Sequence, residues 1–218
     1  MYYLSEATSE AGFLQQLAVA YISKGYRYYV RGYVKRTKDP RKVDLKIINE
    51  FGLDISKHTR FRRKAKGMAN IQYLRFERDF VILATPGKCD RFYIQEEKSV
   101  RSINKTPIRF HNYSIGYRGG KVHVRIEDER YRELKSYFLD IALHRKADAV
   151  EAEFRKVWFE PYAPVRAQLL RIWYQVNQIR KKAGYEPLSK DCIRVRRRQV
   201  TALLQEPSYL TLLDQVGK

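Results

Sequence analysis

The chain has 218 residues, and its 44 lysines and arginines against 24 aspartates and glutamates give a formal net charge of +20. Two cysteines are too few for a disulfide framework or a four-ligand zinc site, and no stretch approaches the roughly 18 uninterrupted apolar residues of a membrane span. We therefore expect a cytoplasmic protein without a membrane partner, and the large positive charge favours nucleic acid as its ligand.

The first predicted elements are a helix and a strand. Ser9 can cap a helix in which Phe13, Leu17 and Tyr21 recur at helical spacing, and Gly25 ends it. In the strand that follows, residues 26–35, successive side chains point to opposite faces. One face is predicted to be apolar, and the other to carry Arg27, Tyr29, Arg31, Tyr33 and Lys35. Cations interleaved with aromatic rings can neutralise phosphates and stack on bases, so we expect this face to bind nucleic acid.

Two helices are predicted next. Asp39 and Pro40 begin a helix over 40–51 whose apolar stripe should pack on the sheet. The second helix, 57–66, contains six cations and no acid, and Phe61 and Ala65 form its predicted apolar seam. We expect phosphate contacts from the cations around it: Arg60, Arg62, Arg63, Lys64 and Lys66.

Strands are predicted over 71–76, 80–85 and 91–95, and they contain the one serious catalytic candidate. Asp79 lies in the turn between the first two strands, and Glu96 and Lys98 follow the third. Two carboxylates on adjacent strands can hold Mg²⁺ beside a scissile phosphate while a lysine steadies the attacking water. Acidic residues are also ordinary in solvated turns, so binding without catalysis is the simpler interpretation.

A hairpin is predicted over 108–126, because Gly119-Gly120 suits a two-residue turn. Its apolar residues share one face, and Lys121, His123 and Arg125 share the other, which we assign to nucleic-acid binding. No metal site is predicted, because fewer than three of the four histidines can converge on one ion.

Helices are predicted for the rest of the chain, with a break at 160–164. A long helix ends at Gly184, and a last helix begins at Ser189 with Val200, Leu203 and Leu204 inward. Its outer side carries Arg194, Arg197 and Arg198. The two helices resemble a helix-turn-helix in arrangement, so these arginines are predicted to contact nucleic acid.

The sequence as a whole predicts an α+β protein, with a mostly antiparallel sheet covered on one face by helices and a helical C-terminal half that ends in this basic pair. We expect two domains, 1–127 and 128–218. The predicted function is nucleic-acid binding, with DNA slightly favoured, in a protein that a mobile element or plasmid encodes. The alternatives are a Mg²⁺-dependent endonuclease that uses Asp79, Glu96 and Lys98, and a structured-RNA-binding component of a ribonucleoprotein. Binding alone requires no cofactor.

Overall fold

A computed structural model of the chain describes residues 2–94, 97–193 and 199–210. In these residues the helices are α1 (Glu10–Gln15), α2 (Pro40–Phe51), α3 (Lys57–Ala65), α4 (Asp90–Tyr93), α5 (Asp128–His144), α6 (Ala147–Lys156) and α7 (Ala163–Lys182). The strands are β1 (Tyr28–Tyr33), β2 (Ile71–Phe76), β3 (Asp79–Ala84), β4 (Arg101–Ser102), β5 (Ile108–Phe110), β6 (Tyr113–Arg118) and β7 (Lys121–Ile126). The predicted α+β class with a helical C-terminal half is confirmed. None of the described helices is long and apolar enough to cross a membrane.

The described residues form two compact units. Unit 1 contains residues 2–108, 116–122 and 200–210, and unit 2 contains 109–115, 123–193 and residue 199. The predicted domain boundary after residue 127 stays a prediction, because compact units defined by contacts need not be domains that fold independently.

Unit 1 is built on an antiparallel sheet with the strand order β2-β3-β1-β4. Asp39 caps α2 by accepting a hydrogen bond from the backbone N–H of Arg41, as its position before Pro40 predicts. Ile47 and Ile48 of α2 then pack on one face of the sheet, in a core that includes Val30. The predicted amphipathic helix over 40–51 is therefore confirmed.

The opposite face of this sheet is also covered. Leu74, Val81 and Leu83 point away from α2, because side chains alternate along a strand, and each is at most 2% exposed. Helix α1 contacts β2, and the chain continues from α1 through a π-helical turn, Gln16–Tyr21, and a 3₁₀ turn, Ile22–Lys24. Both faces of the sheet are therefore buried.

A network of buried charges lies between α2 and β2. Asp44 is fully buried, and both its carboxylate oxygens accept hydrogen bonds from the Arg75 guanidinium, at 2.8 Å each from Nε and Nη2. Tyr73 donates its hydroxyl to Asp44 at 2.6 Å, and Glu6 pairs with Arg75 at 2.8 Å. Burial raises the pKa of Asp44, whereas Arg75 opposes that rise. For Arg75, burial lowers the pKa, but the hydrogen bonds to Asp44 outweigh it and the pKa is raised.

The segment 199–204 corrects one sequence prediction. The sequence predicted a helix there with Val200, Leu203 and Leu204 inward, but these residues are not helical, and Leu203 forms a bridge with Ala7. The Leu204 N–H donates to the Glu6 carbonyl at 3.0 Å. The apolar spacing suggested a helix, but pairing with the N-terminal segment satisfies the same backbone groups.

Gly12 permits the close approach between α1 and this segment. A Cβ atom at residue 12 would lie 2.7 Å from the carbonyl oxygen of Ala202, which is a backbone atom and cannot rotate away. We expect Gly12→Ala to lower the free energy of unfolding by about 1–3 kcal/mol, although alanine favours helices by about 1 kcal/mol. Urea unfolding measures the change. Gln15→Ala on the exposed side of the same helix is the control, and a stabilised Gly12→Ala would contradict this contact.

The second sheet has the strand order β5-β6-β7. Gly119 and Gly120 have φ values of 53° and 77°, which are those of the two-residue turn that the sequence predicted. In unit 2, the side chain of Gln168 on α7 binds both the N–H and the carbonyl of Ile126 on β7. This pair of hydrogen bonds joins the helices of unit 2 to its strand.

The helices of unit 2 pack through buried aromatic rings and a buried arginine. Phe138 of α5 and Phe154 of α6 are buried, and their rings stack at 3.8 Å between centroids. Arg180 of α7 is 2% exposed and donates to the carbonyl oxygens of Ala142 and Arg145, which satisfies the C-terminal end of α5. A break is present but covers residues 157–162 and not 160–164, since α6 ends at Lys156 and α7 begins at Ala163.

Candidate nucleic-acid interface

Helix α3 is short and lies on the surface of unit 1. Ser56 caps it by accepting a hydrogen bond from the backbone N–H of Thr59 at 3.1 Å. The helix ends before Gly67, whose φ of +69° suits glycine. None of the residues of α3 is buried. An apolar face therefore does not hold α3 in place.

Polar contacts hold α3 in place. Arg60 donates from Nη2 to the carbonyl oxygen of Leu53 at 2.9 Å, and Arg63 donates from Nη2 to that of Ala69 at 3.2 Å. Asn70 returns a hydrogen bond from Nδ2 to the carbonyl oxygen of Arg60 at 2.9 Å. Arg60 and Arg63, which the sequence assigned to phosphates, are half-buried and bind backbone through one guanidinium nitrogen each, so their contact with phosphate stays a prediction.

The opposite side of α3 faces solvent. We define the outer face of α3 as its exposed cations and the aromatic ring among them: Lys57, Phe61, Arg62, Lys64 and Lys66. Phe61 is 71% exposed, so the predicted apolar seam of Phe61 and Ala65 is wrong. The helix has no other apolar stripe, and its arginines turn inward on the side where an apolar seam was expected.

The cations of the outer face are not paired within the part of the chain that the structure describes. Among the residues that the structure describes, no carboxylate forms a salt bridge with Lys57, Arg62, Lys64 or Lys66. Like charges this close repel one another, and an anionic ligand relieves the repulsion. This surface is consequently suited to a polyanion.

The Tyr/Arg face of β1 is exposed only at one end. Tyr29 is 4% exposed and donates its hydroxyl to the Pro107 carbonyl at 3.2 Å, so its predicted availability for stacking is wrong. The cause is the covered second face of the sheet. The Arg27 guanidinium stacks on the Tyr117 ring, 3.6 Å from its centroid.

The exposed end of this face contains Arg31, Tyr33 and Lys35. Arg31 forms a salt bridge with Asp79 at 2.9 Å, and Tyr33 is 54% exposed. Lys35 is exposed just beyond the strand. All three belong to unit 1, as α3 does.

The predicted hairpin residues divide between the units. Lys121 is exposed and belongs to unit 1, whereas His123 is half-buried and belongs with Arg125 to unit 2. Arg125 is already paired with Asp128 at 2.8 Å. Their contact with nucleic acid stays a prediction.

A helical turn stands where the sequence predicted the third strand of the nuclease site. Residues 91–95 were predicted as a strand beside Asp79, but Asp90–Tyr93 is one turn of helix, and Lys98 lies in an exposed turn. Glu96 lies outside the described residues. Within the described ranges no three His, Cys, Asp or Glu side chains are grouped to hold a metal. The strand prediction is wrong because Asp90 begins a helical turn, whose N–H groups bond back to Cys89 and Asp90.

The predicted helix-turn-helix arginines, Arg194, Arg197 and Arg198, also lie outside the described residues. Before them, Lys190–Cys192 is a single 3₁₀ turn, and after them residues 199–204 are not helical. The contact of these arginines with nucleic acid, and the preference for DNA, stay predictions.

Two comparisons with known proteins give no relative: no protein-family model matches this chain, and no curated protein matches it.

Proposed function

We propose that this chain binds nucleic acid through the outer face of α3. The observation that carries the proposal is a surface helix with four exposed cations that pair with no described carboxylate. We also propose that this binding takes place in the cytoplasm.

The dimensions of α3 suit a nucleic-acid backbone. Residues 57–66 rise about 14 Å along the helix axis, at about 1.5 Å per residue. Phosphates on one strand of a duplex follow at about 3.4 Å along its axis, so the outer face can meet about four of them. Contacts to phosphate give affinity and position without sequence preference.

The exposed ring of Phe61 adds a contact that phosphate binding does not need. A phenyl ring among cations can stack on an unpaired base while its neighbours bind the flanking phosphates. Tyr33 and Lys35 supply a second exposed ring and cation in the same unit. These two features favour single strands or unpaired regions over a regular duplex.

We expect Phe61→Ala to weaken the binding of single strands by about 1–3 kcal/mol and to leave duplex binding nearly unchanged. Fluorescence anisotropy with labelled oligonucleotides measures both affinities. Phe61→Trp should keep the single-strand affinity, since it keeps a ring. Tyr174→Ala removes an equally prominent ring, 57% exposed on α7, and should have no effect. An unchanged single-strand affinity in Phe61→Ala would show that the ring makes no stacking contact.

A salt titration of the unaltered protein tests the proposal itself. With about four phosphates neutralised, the logarithm of the binding constant should fall against the logarithm of salt concentration with a slope of about −3 for single strands. Single-stranded DNA, single-stranded RNA and duplex DNA are compared in parallel, and the tightest complex identifies the ligand. Binding that is absent from all three at low salt would contradict the proposal.

A further inference from the structure

Unit 2 contains a cleft that the proposed function does not use. It has a volume of about 460 Å³ and lies where α5 meets α6 and the segment that follows α6. Ligand-binding clefts of proteins usually measure about 300–1,000 Å³. The cleft is therefore large enough for a ligand the size of a nucleotide.

The floor of the cleft is apolar and its sides carry exposed aromatic rings. Leu134, Phe138 and Phe159 are buried beneath it. Tyr137 and Trp158 also line it and are 42% and 49% exposed. Rings of this size normally bury most of their surface, and here two of them line one depression.

The rim of the cleft is charged and balanced. Arg130 pairs with Glu133 at 2.9 Å, and Lys156 pairs with Glu153 at 2.8 Å. Tyr137 donates its hydroxyl to Glu153 at 3.1 Å, which fixes that ring at the edge of the cleft. Hydrogen bonds from Lys156 and Tyr137 lower the pKa of Glu153, so its carboxylate is charged at neutral pH. Two carboxylates and two cations thus surround an aromatic depression.

We propose that this cleft binds a nucleotide, with the base against Trp158 and Tyr137. A nucleobase has apolar faces and an edge of N–H donors, which suit the rings and the carboxylates of Glu133 and Glu153 respectively. Arg130 and Lys156 supply donors for its phosphate. A purely anionic ligand would be repelled by the carboxylates, and a purely apolar ligand would contact the rings without using the polar groups of the rim.

The same chemistry is offered by a free nucleotide and by one base of a polynucleotide. The site belongs to unit 2 and does not depend on the outer face of α3, which belongs to unit 1. Its success or failure is therefore independent of the proposed function.

Trp158 provides the signal for a test. The chain has two tryptophans, so Trp173→Phe leaves Trp158 as the only one. Guanosine and adenosine monophosphates are titrated against the full-length Trp173→Phe protein, with inorganic phosphate and ribose 5-phosphate as probes that lack a base. We expect saturable quenching of Trp158 by at least one nucleotide and none by the two probes without a base.

Variants distinguish nucleotide binding in the cleft from nonspecific quenching at the surface. Tyr137→Ala in the same background should weaken nucleotide binding about tenfold, as loss of one base stack predicts. Tyr137→Phe retains the ring and should bind nearly as the parent does, and Tyr174→Ala, remote on α7, should bind equally. Quenching that does not saturate, that inorganic phosphate reproduces, or that survives Tyr137→Ala unchanged would overturn the proposal.

Short single-stranded oligonucleotides then identify the source of the base. Tighter binding of a tetranucleotide than of the monophosphate assigns the cleft to a polynucleotide, and equal binding assigns it to a free nucleotide. Either result supports a nucleotide site. Absence of quenching by mononucleotides and oligonucleotides alike would overturn it.

Discussion

Replacing Lys57, Arg62, Lys64 and Lys66 together by alanine is expected to weaken nucleic-acid binding about a hundredfold near physiological salt. Each exposed contact between unlike charges contributes up to about 1 kcal/mol, and four contacts are lost at once. The slope of affinity against salt should also become shallower, because fewer counterions are released from the nucleic acid. Anisotropy titrations at several salt concentrations measure both quantities.

A matched variant separates position from total charge. Arg166, Arg171, Lys181 and Lys182 are four exposed cations of α7, in unit 2. Their joint replacement by alanine removes the same charge from another helix and should change the affinity about twofold or less, through long-range attraction alone. Equal losses in the two variants would show that net charge, and not the outer face of α3, determines binding.

The α3 variant should remain folded. Its four side chains are exposed, and alanine is the most favourable residue for a helix. The contacts that hold the helix, from Arg60, Arg63 and Asn70, are left in place. We therefore expect an unchanged midpoint of thermal unfolding, which makes the loss of affinity a property of the surface.

Asp44→Ala is expected to lower the free energy of unfolding by about 3–5 kcal/mol. Removing one partner of a buried ion pair leaves the other charge without its hydrogen bonds in a site that water does not reach. Here the Arg75 guanidinium would lose both oxygens of Asp44 and keep Glu6, whose side chain is partly exposed. Tyr73 would lose the acceptor of its hydroxyl. Urea or thermal unfolding measures the loss.

Asp140→Ala is the control for this variant, because Asp140 is exposed on α5 and should change stability by about 0.5 kcal/mol or less. Asp44→Asn keeps the shape of the side chain and one acceptor. We expect its free energy of unfolding to lie between that of Asp44→Ala and that of the parent protein. If Asp44→Ala cost no more than the control, the buried network would not be holding α2 to the sheet.

Local signals in the sequence predicted the local structure well. Ser9, Asp39 and Ser56 all cap the helices they were assigned to, since capping depends on a side chain and the next few backbone N–H groups. Gly119-Gly120 fixed the hairpin turn for the same reason. Strands β2 and β3 followed from their apolar runs, and β3 lies between β2 and β1 in the sheet.

Some of the predictions that failed depend on contacts with residues outside the predicted element. Tyr29 was assigned to an exposed face, but residues far away in sequence cover it. Phe61 was predicted to face inward because it is apolar. Instead, arginines of α3 face inward and bind the nearby backbone carbonyls. Asp44, in the apolar stripe of α2, gave no sign of its buried partner, Arg75. The composition of the sequence identified the cationic helix over 57–66 as the candidate site. It did not identify which side of that helix faces solvent.

Ultraviolet crosslinking of a bound oligonucleotide, followed by mass spectrometry, tests the central claim most directly. Cleavage after glutamate releases residues 51–77, which contain α3, as one fragment and residues 154–218, which contain α7, as another, because the glutamates at 160, 186 and 206 precede prolines and are not cleaved. We predict crosslinks in the first fragment that are centred on Phe61 and disappear at high salt. Crosslinks confined to the second fragment, with none in residues 51–77, would contradict the assignment of the nucleic-acid interface to α3.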